Sequence, residues 1–419
     1  MNLIIEEAKK MLSGEKSATL QEMAKQIEHV VFCSYSEQEA KEALEVSLGL
    51  FQKLAEQVDQ DDDEEMESVF QVIDKLLKND KEARALDILT EAGISLTEPR
   101  YYQREMTNFR DHILRWAFSI DALEKLSGLG VDLDEALIKG KTPAFILADR
   151  NRMMFFGGDN PEEEFAKAVA YFSTESIEAL NMDGTSAAHT AIRHNHYEMV
   201  EAMIKKGIDV NITEDQPKVM GTTLLHTACE YGFPKIVQML MDAGADDTMK
   251  NVEDETAAHI AVSEKIRFKK IEDGERAQML RALKNIDIAG KKGKTPLLLV
   301  QGTNHTITPS LALTPVLIEM GADVNHVDED GNTALLLQAD NYCFKDTMKA
   351  LIKAGADINA RNKYGNTPLH LTLTSGNCEI ARLLIKKGAD YNVANEKRVT
   401  PVQIAVEKGY DEVLAVMEL

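Results

Sequence analysis

The sequence is 419 residues long, 44% apolar and only 6% aromatic, which excludes a wholly disordered chain and requires a core built from Leu, Ile, Ala and Met. Its formal charge of −23 works against binding a nucleic-acid backbone and favours a partner with a basic surface. Cys33, Cys229, Cys343 and Cys378 lie far apart with no CxxC pair, which argues against a disulfide framework or a zinc ribbon and for a reducing compartment.

The N-terminal stretch MNLIIEEAKK has acids where a secretory signal carries basic residues, and no apolar run nears the ~20 residues of a membrane span. The expected location is the cytoplasm, with no membrane insertion. TLQEMAKQIEHVVF and SEQEAKEALEVSLGLFQKLAEQV read as helices of an acidic region over residues 1–62, a separate hairpin or an N-terminal cap. Residues 1–100 hold 23 acidic against 11 basic side chains, about half of the net excess. The acidic peak, DQDDDEEME (Asp59 to Glu67), fails as a calcium loop: Glu64 stands where the turn needs Gly, and Phe70 where a bidentate Glu is needed. It reads instead as a solvated linker or a helix start. EARALDILTEAGISLTEP (Glu82 to Pro99) and DALEKLSGLGVDLDEAL (Asp121 to Leu137) each end a helix with Gly and an extended apolar tail. Residues 63–138 are therefore taken as degenerate, capping copies of the pattern that follows.

From Lys139 to Leu419 one pattern recurs. GTSAAHTAIRHNHYEMVEAMIKKGIDVN, GTTLLHTACEYGFPKIVQMLMDAGADD, GNTALLLQADNYCFKDTMKALIKAGADIN and GNTPLHLTLTSGNCEIARLLIKKGADYN begin at Gly184, Gly221, Gly331 and Gly365; weaker copies begin at Gly140, Asp254, Gly293 and Arg398. A Thr or Ser slot falls at Thr142, Ser186, Thr223, Thr256, Thr295, Thr333, Thr367 and Thr400, and the base period is 33. Within one copy, the Thr367 hydroxyl can accept an orphan backbone N–H and Pro368 opens the helix where no N–H is missed. Leu369, Leu371 and Leu373 supply apolar contacts, Gly376-Asn377 breaks the helix, and Ile380, Leu383 and Leu384 line a second one. Lys386 and Lys387 complement its dipole, and Gly388 supplies a left-handed cap. A pair of helices this short cannot bury its apolar stripe alone, so it must stack on neighbours.

The pattern resembles the ankyrin repeat, whose T-P-L-H-x-A helix start matches Thr367-Pro368-Leu369-His370 and Thr223-Leu224-Leu225-His226-Thr227-Ala228. The resemblance covers about eight copies over 139–419. It implies an all-α, ankyrin-repeat α-solenoid with β-hairpin loops and an N-terminal helical region, whose hairpins and first helices bind another protein. Copies depart from the pattern: Ala188-His189 lacks the Pro and Leu, and Phe145, Leu298, Leu336 and Gln403 replace the His.

Partner contacts are expected where copies differ. Three are lengthened between their helices, by NRMMFFGGDNPEEEF, SEKIRFKKIEDGER and QGTNHTITPS, and the hairpin NITEDQPKVMG is four residues longer than its neighbours. Met153, Phe155 and Phe156 would anchor a partner or fold back onto their own helix. Arg267 and Lys269 form a basic island that would meet an acidic patch or remain solvated. Tyr364 and the hairpin acids Glu214, Asp328 and Glu329 complete the partner-binding candidates, and Thr223, His226, Thr367, Pro368, His370 and Gly388 carry the structural motif.

No catalytic constellation is written in the chain: there is no phosphate loop, GxSxG elbow, HExxH helix or kinase signature. His189, His226, His259 and His370 share one slot, but neighbouring repeats sit roughly 8–10 Å apart while zinc needs its ligands at ~2.0–2.1 Å. They are read as imidazoles bonded to helix starts and hairpin backbone across repeat junctions, with no metal and no cofactor. Cys378 near a helix N-terminus has no evident base. The expected function is a protein–protein interaction scaffold, not an enzyme; the alternative is a targeting adaptor or an effector injected into a host cell, in which residues 1–138 carry or recruit an activity.

Overall fold

The computed structural model describes residues 2–32, 37–60, 62–77, 82–98, 100–102, 105–116, 120–135, 141–149, 161–217, 219–263, 271–301, 312–341 and 344–417. It is mostly helical and divides into two compact units, Met1–Asp209 and Val210–Leu419.

In the first unit, α1 (Asn2–Ser13) lies against α2 (Leu20–Phe32) and α3 (Glu37–Gln57). There follow α4 (Asp63–Leu77), α5 (Glu82–Glu91), a two-stranded antiparallel sheet of β1 (Arg100–Tyr102) and β2 (Glu105–Thr107), α6 (Phe109–Trp116), α7 (Ile120–Gly128), α8 (Pro143–Ala148), α9 (Pro161–Ala168), α10 (Thr174–Glu178), α11 (Ala187–Arg193) and α12 (Tyr197–Lys206). Two rows run through them. In one, α2, α4, α6, α8 and α11 each pack on the next; in the other, α3, α5, α7, α9 and α12 do so. The helices read as fitting no repeat, α2 and α3, thus pack as a pair on the pair that follows.

Amphipathic spacing explains this stacking: Leu50, Phe51 and Leu54 of α3 and Val69, Phe70 and Ile73 of α4 are fully buried, and Phe70 stacks on Phe109 of α6 at 4.1 Å between ring centroids. A buried ion pair opens α6. Arg110 donates to Asp111 at 3.0 and 2.9 Å and to Glu135 at 2.6 Å, while the Asp111 N–H donates to Asn108 Oδ1 at 2.7 Å. Each charge is satisfied, as burial requires.

The second unit comprises α13 (Leu224–Tyr231), α14 (Pro234–Asp242), α15 (Ala257–Val262), α16 (Asp273–Ala282), α17 (Pro296–Gln301), α18 (Leu313–Glu319), α19 (Ala334–Asn341), α20 (Lys345–Lys353), α21 (Pro368–Thr374), α22 (Cys378–Lys386), α23 (Pro401–Lys408) and α24 (Asp411–Leu414). The odd-numbered first helices form one row, α13 to α23, each packed on the next. The second helices form another, in which α14 packs on α16, α16 on α18, α18 on α20, and α22 on α24. This is the helix-pair α-solenoid expected from the repeat. The core lies between the rows, where Leu224, Leu225, Leu297, Leu298, Leu335, Leu336, Leu369 and Leu373 of the first helices meet Ile236, Leu240, Leu280, Leu317, Leu351 and Leu384 of the second. Leu371, expected among the core contacts, stays partly exposed.

Candidate interaction surface

The threonine slot fixes each first helix. Thr142, Ser186, Thr223, Thr367 and Thr400 are extended residues whose side-chain oxygen accepts the N–H three positions on. At Thr223, Thr256 and Thr367 the cap is reciprocal, because the cap's own N–H donates to Nδ1 of His226, His259 and His370 at 3.3, 3.2 and 3.1 Å. Nδ1 therefore accepts, and the proton sits on Nε2. That nitrogen donates across the repeat junction to the carbonyl oxygens of Glu255, Lys294 and Val399, at 2.9, 2.9 and 3.1 Å. Gln403 performs the cap role without a ring, accepting the Thr400 N–H at 2.9 Å. Burial pushes the His226 imidazole down to about 4 and lowers His259 and His370 as well, so these rings are neutral ties between repeats. Among the described residues, no three His, Cys, Asp or Glu side chains gather to hold a metal ion. Burial drives the Cys229 thiol up to about 12, which makes it inert as a nucleophile at neutral pH.

Side-chain oxygens shape the hairpins. Asn251, Asp328, Asn362 and Asn395 each accept two backbone N–H groups, two and four residues on, at 2.8–3.1 Å. Successive tips are tied by a backbone bond: Val252 N–H to the Met220 carbonyl at 2.8 Å, Glu329 to Lys292 at 3.1 Å, Lys363 to Asp330 at 2.8 Å, and Glu396 to Tyr364 at 3.0 Å. The Gly-Ala-Asp-x-Asn ends form a second ladder, in which Asn325 and Asn359 Oδ1 accept the N–H of Asp357 and Asp390 in the next copy, both at 2.8 Å.

The candidates fare differently. Met153, Phe155, Phe156, Arg267 and Lys269 lie outside the described residues. Glu214 and Asp328 are placed inside rather than facing outward: Glu214 is 1% exposed within the bridged turn closed by Thr213 and Thr223, and Asp328 uses its carboxylate to build the turn that an Asn builds elsewhere. Glu329 is exposed. Tyr364 is 58% exposed, with the Lys363 ammonium 5.1 Å from its ring centroid and Lys363 paired with Asp330. Thr223, His226, Thr367, Pro368 and His370 are buried in the caps described above, and Gly388 has a left-handed φ of 95° with open space around it. Sequence reading missed Met182, Met220 and Val252, which are 83%, 47% and 53% exposed at hairpin tips. The signal was present: each is an apolar residue inside a polar turn that ends in Gly or Asp.

Helix pairs capped alike, tied through their first helices and hairpins, define a repeat protein whose units differ in sequence mainly at tips and insertions. The chain contains ankyrin repeats. Family models described as ankyrin repeats match residues 187–241, 309–395 and 336–417. Over 76 residues, 18% of this chain, it is 47% identical to mouse protein phosphatase 1 regulatory subunit 27 and 36% identical to the human protein; the chain spans about half the length (47%) of these relatives. It is also 30% identical over 144 residues to an ankyrin repeat protein of fowlpox virus, covering 34% of this chain and 19% of that one. The crystal structure of the ankyrin repeat domain of Bcl-3 covers 56% of this chain and 99% of its own at 24% identity, with a TM-score of 0.46.

Proposed function

We propose that the chain is a protein-interaction scaffold that holds a partner protein against its hairpin tips and first helices. The observation that carries this reading is the set of large apolar side chains in the second unit, Met220, Val252 and Tyr364, held in solvent on turns that side-chain and backbone hydrogen bonds keep in one shape. Rigid display of apolar groups is costly in water unless a partner covers them. The mouse and human relatives are named as regulatory subunits of a phosphatase, which is in keeping with a binding rather than a catalytic role. The basic partner surface belongs opposite the first unit: residues 1–209 hold 41 acidic and 23 basic side chains, against 29 and 24 in residues 210–419. The inserted residues Met153, Phe155, Phe156, Arg267 and Lys269, with Glu329, add selectivity.

The test is affinity capture with the full chain and with Met220, Val252 and Tyr364 replaced by Ser. The triple variant should keep its helicity and lose most of the captured protein, and so should a chain whose residues 150–160 are shortened to a turn. Unchanged capture by the triple variant rejects the tip surface; a captured protein found chemically modified by the chain rejects a pure scaffold.

A further inference from the structure

Methionine fills much of this chain's core, which makes its rare exposure informative. Among the methionine side chains that the structure describes, nine are buried, Met239, Met249 and Met320 are half-buried, and Met182 and Met220 alone are exposed, at 83% and 47%. Both stand on hairpin tips, one in each unit. Met182 follows Asn181, whose Oδ1 accepts the N–H groups of Asp183 and Thr185 at 2.9 and 3.1 Å. The Met220 carbonyl accepts the Val252 N–H of the next tip at 2.8 Å. Neither turn needs a sulfur. The residue after the turn-building Asn or Asp is Glu329, Lys363 or Glu396 in other hairpins, and Lys292 and Asp330 supply the tip-to-tip carbonyl that Met220 supplies here. Polar side chains therefore fit both slots with the backbone bonds intact, and the thioether is not held there by packing.

A thioether in solvent is open to oxidants of the peroxide class. The sulfur lone pair attacks one oxygen of hydrogen peroxide; the S–O bond forms as the O–O bond breaks, and the departing hydroxide takes the proton of the new S–OH group and leaves as water. Sulfur loses two electrons and the peroxide gains them. The product is a sulfoxide, polar where the thioether was apolar. In the core such a change disrupts packing. At these two slots, where other copies carry Lys, Asp or Glu, the turn keeps its shape and the surface offered to a partner changes. We propose that Met182 and Met220 are oxidation sites through which a peroxide switches partner capture off while the repeats stay folded. The proposal rests on the scaffold reading and adds a means of regulating that surface.

The test treats the full-length chain with increasing hydrogen peroxide and follows each methionine by mass spectrometry of digests, helicity by circular dichroism, and the protein captured from a cell lysate. Met182 and Met220 should become sulfoxides before Met239, Met249 and Met320, with helicity unchanged and capture reduced at least about fivefold. Methionine sulfoxide reductases A and B together, one for each sulfoxide epimer and supplied with dithiothreitol, should restore capture. Dithiothreitol alone should not, which separates the effect from oxidation of Cys378. A full-length variant carrying Met182→Leu and Met220→Leu should capture the same amount after peroxide as it did before. Oxidation of the two exposed methionines no faster than that of the half-buried ones overturns the proposal, and so does a variant that loses capture as the parent does. Undiminished capture by a parent fully oxidised at Met182 and Met220 overturns the switch and leaves the scaffold standing. A chain that captures nothing before peroxide rejects the scaffold, and the switch falls with it.

Discussion

His226 shows how one side chain joins two repeats and sets an acid limit on the joint. Its Nδ1 accepts the Thr223 N–H and its Nε2 donates to the Glu255 carbonyl, so a second proton has nowhere to go without breaking the first bond. The ring's pKa is about 4 in the folded chain and ~6.5 when unfolded. The unfolded chain therefore takes up the proton first as pH falls, so the stabilisation is complete above ~6.5 and is lost between ~6.5 and 4, reaching about 3 kcal/mol at this one position. Replacing His226 by Gln, the residue that Gln403 already uses for the cap, should cost about 1 kcal/mol at pH 7 through the lost bond to Glu255. The same variant should lose less stability than the parent on acidification to pH 4.5. Urea midpoints at both pH values measure this, and equal acid sensitivity in the two chains would count against the tie.

At the level of the element, two glycines with the same sign of φ have different work. Gly365 has φ 70°, and a Cβ there would meet Arg361 Nη2 at 2.7 Å and the Glu396 nitrogen of the next hairpin at 3.0 Å. Gly388 has φ 95° and nothing within 4 Å. Gly388→Ala should cost about 1 kcal/mol for the left-handed backbone alone. Gly365→Ala should cost more, about 2–3 kcal/mol, because it also pushes two hairpins apart. Thermal unfolding of both variants tests the order; a Gly388→Ala loss that equals or exceeds the other would mean that the hairpin contact is unimportant. Asp254 and Arg398 occupy the equivalent slot in their copies, each at φ 61°.

For the molecule as a whole, stability should be graded along the rows rather than held in one centre, because each helix pair touches mainly its neighbours. Leu351→Ala in α20 empties a fully buried position and should cost about 2–5 kcal/mol. Hydrogen exchange should quicken in α18 to α22 and hardly change in α13 and α14; uniform loss across the unit would contradict nearest-neighbour coupling. Charge is graded too. With 41 acidic and 23 basic side chains, the first unit repels itself more than the second, so raising salt from low to about 1 M should slow exchange in residues 1–209 more than in 210–419. Equal responses would show that the excess charge is too dispersed to matter.

The sequence by itself determined the repeat: the Thr slots, the closing glycines and the apolar spacing are local requirements of capping and helix periodicity, so Thr223, His226, Thr367, Pro368, His370 and Gly388 could be read one copy at a time. It also implied stacking, because no single pair buries enough surface. Burial of individual side chains was not legible: Asp328 was expected outside and lies within the turn it builds with the N–H groups of Asp330 and Asn332, and Leu371 was expected inside and stays partly exposed. The ties from His226 to Glu255 and from Asn359 to Asp390 span 29 and 31 residues. Only stacking in three dimensions brings such groups together, and so only the tertiary structure decided which side chains are consumed in holding the rows and which remain for a partner.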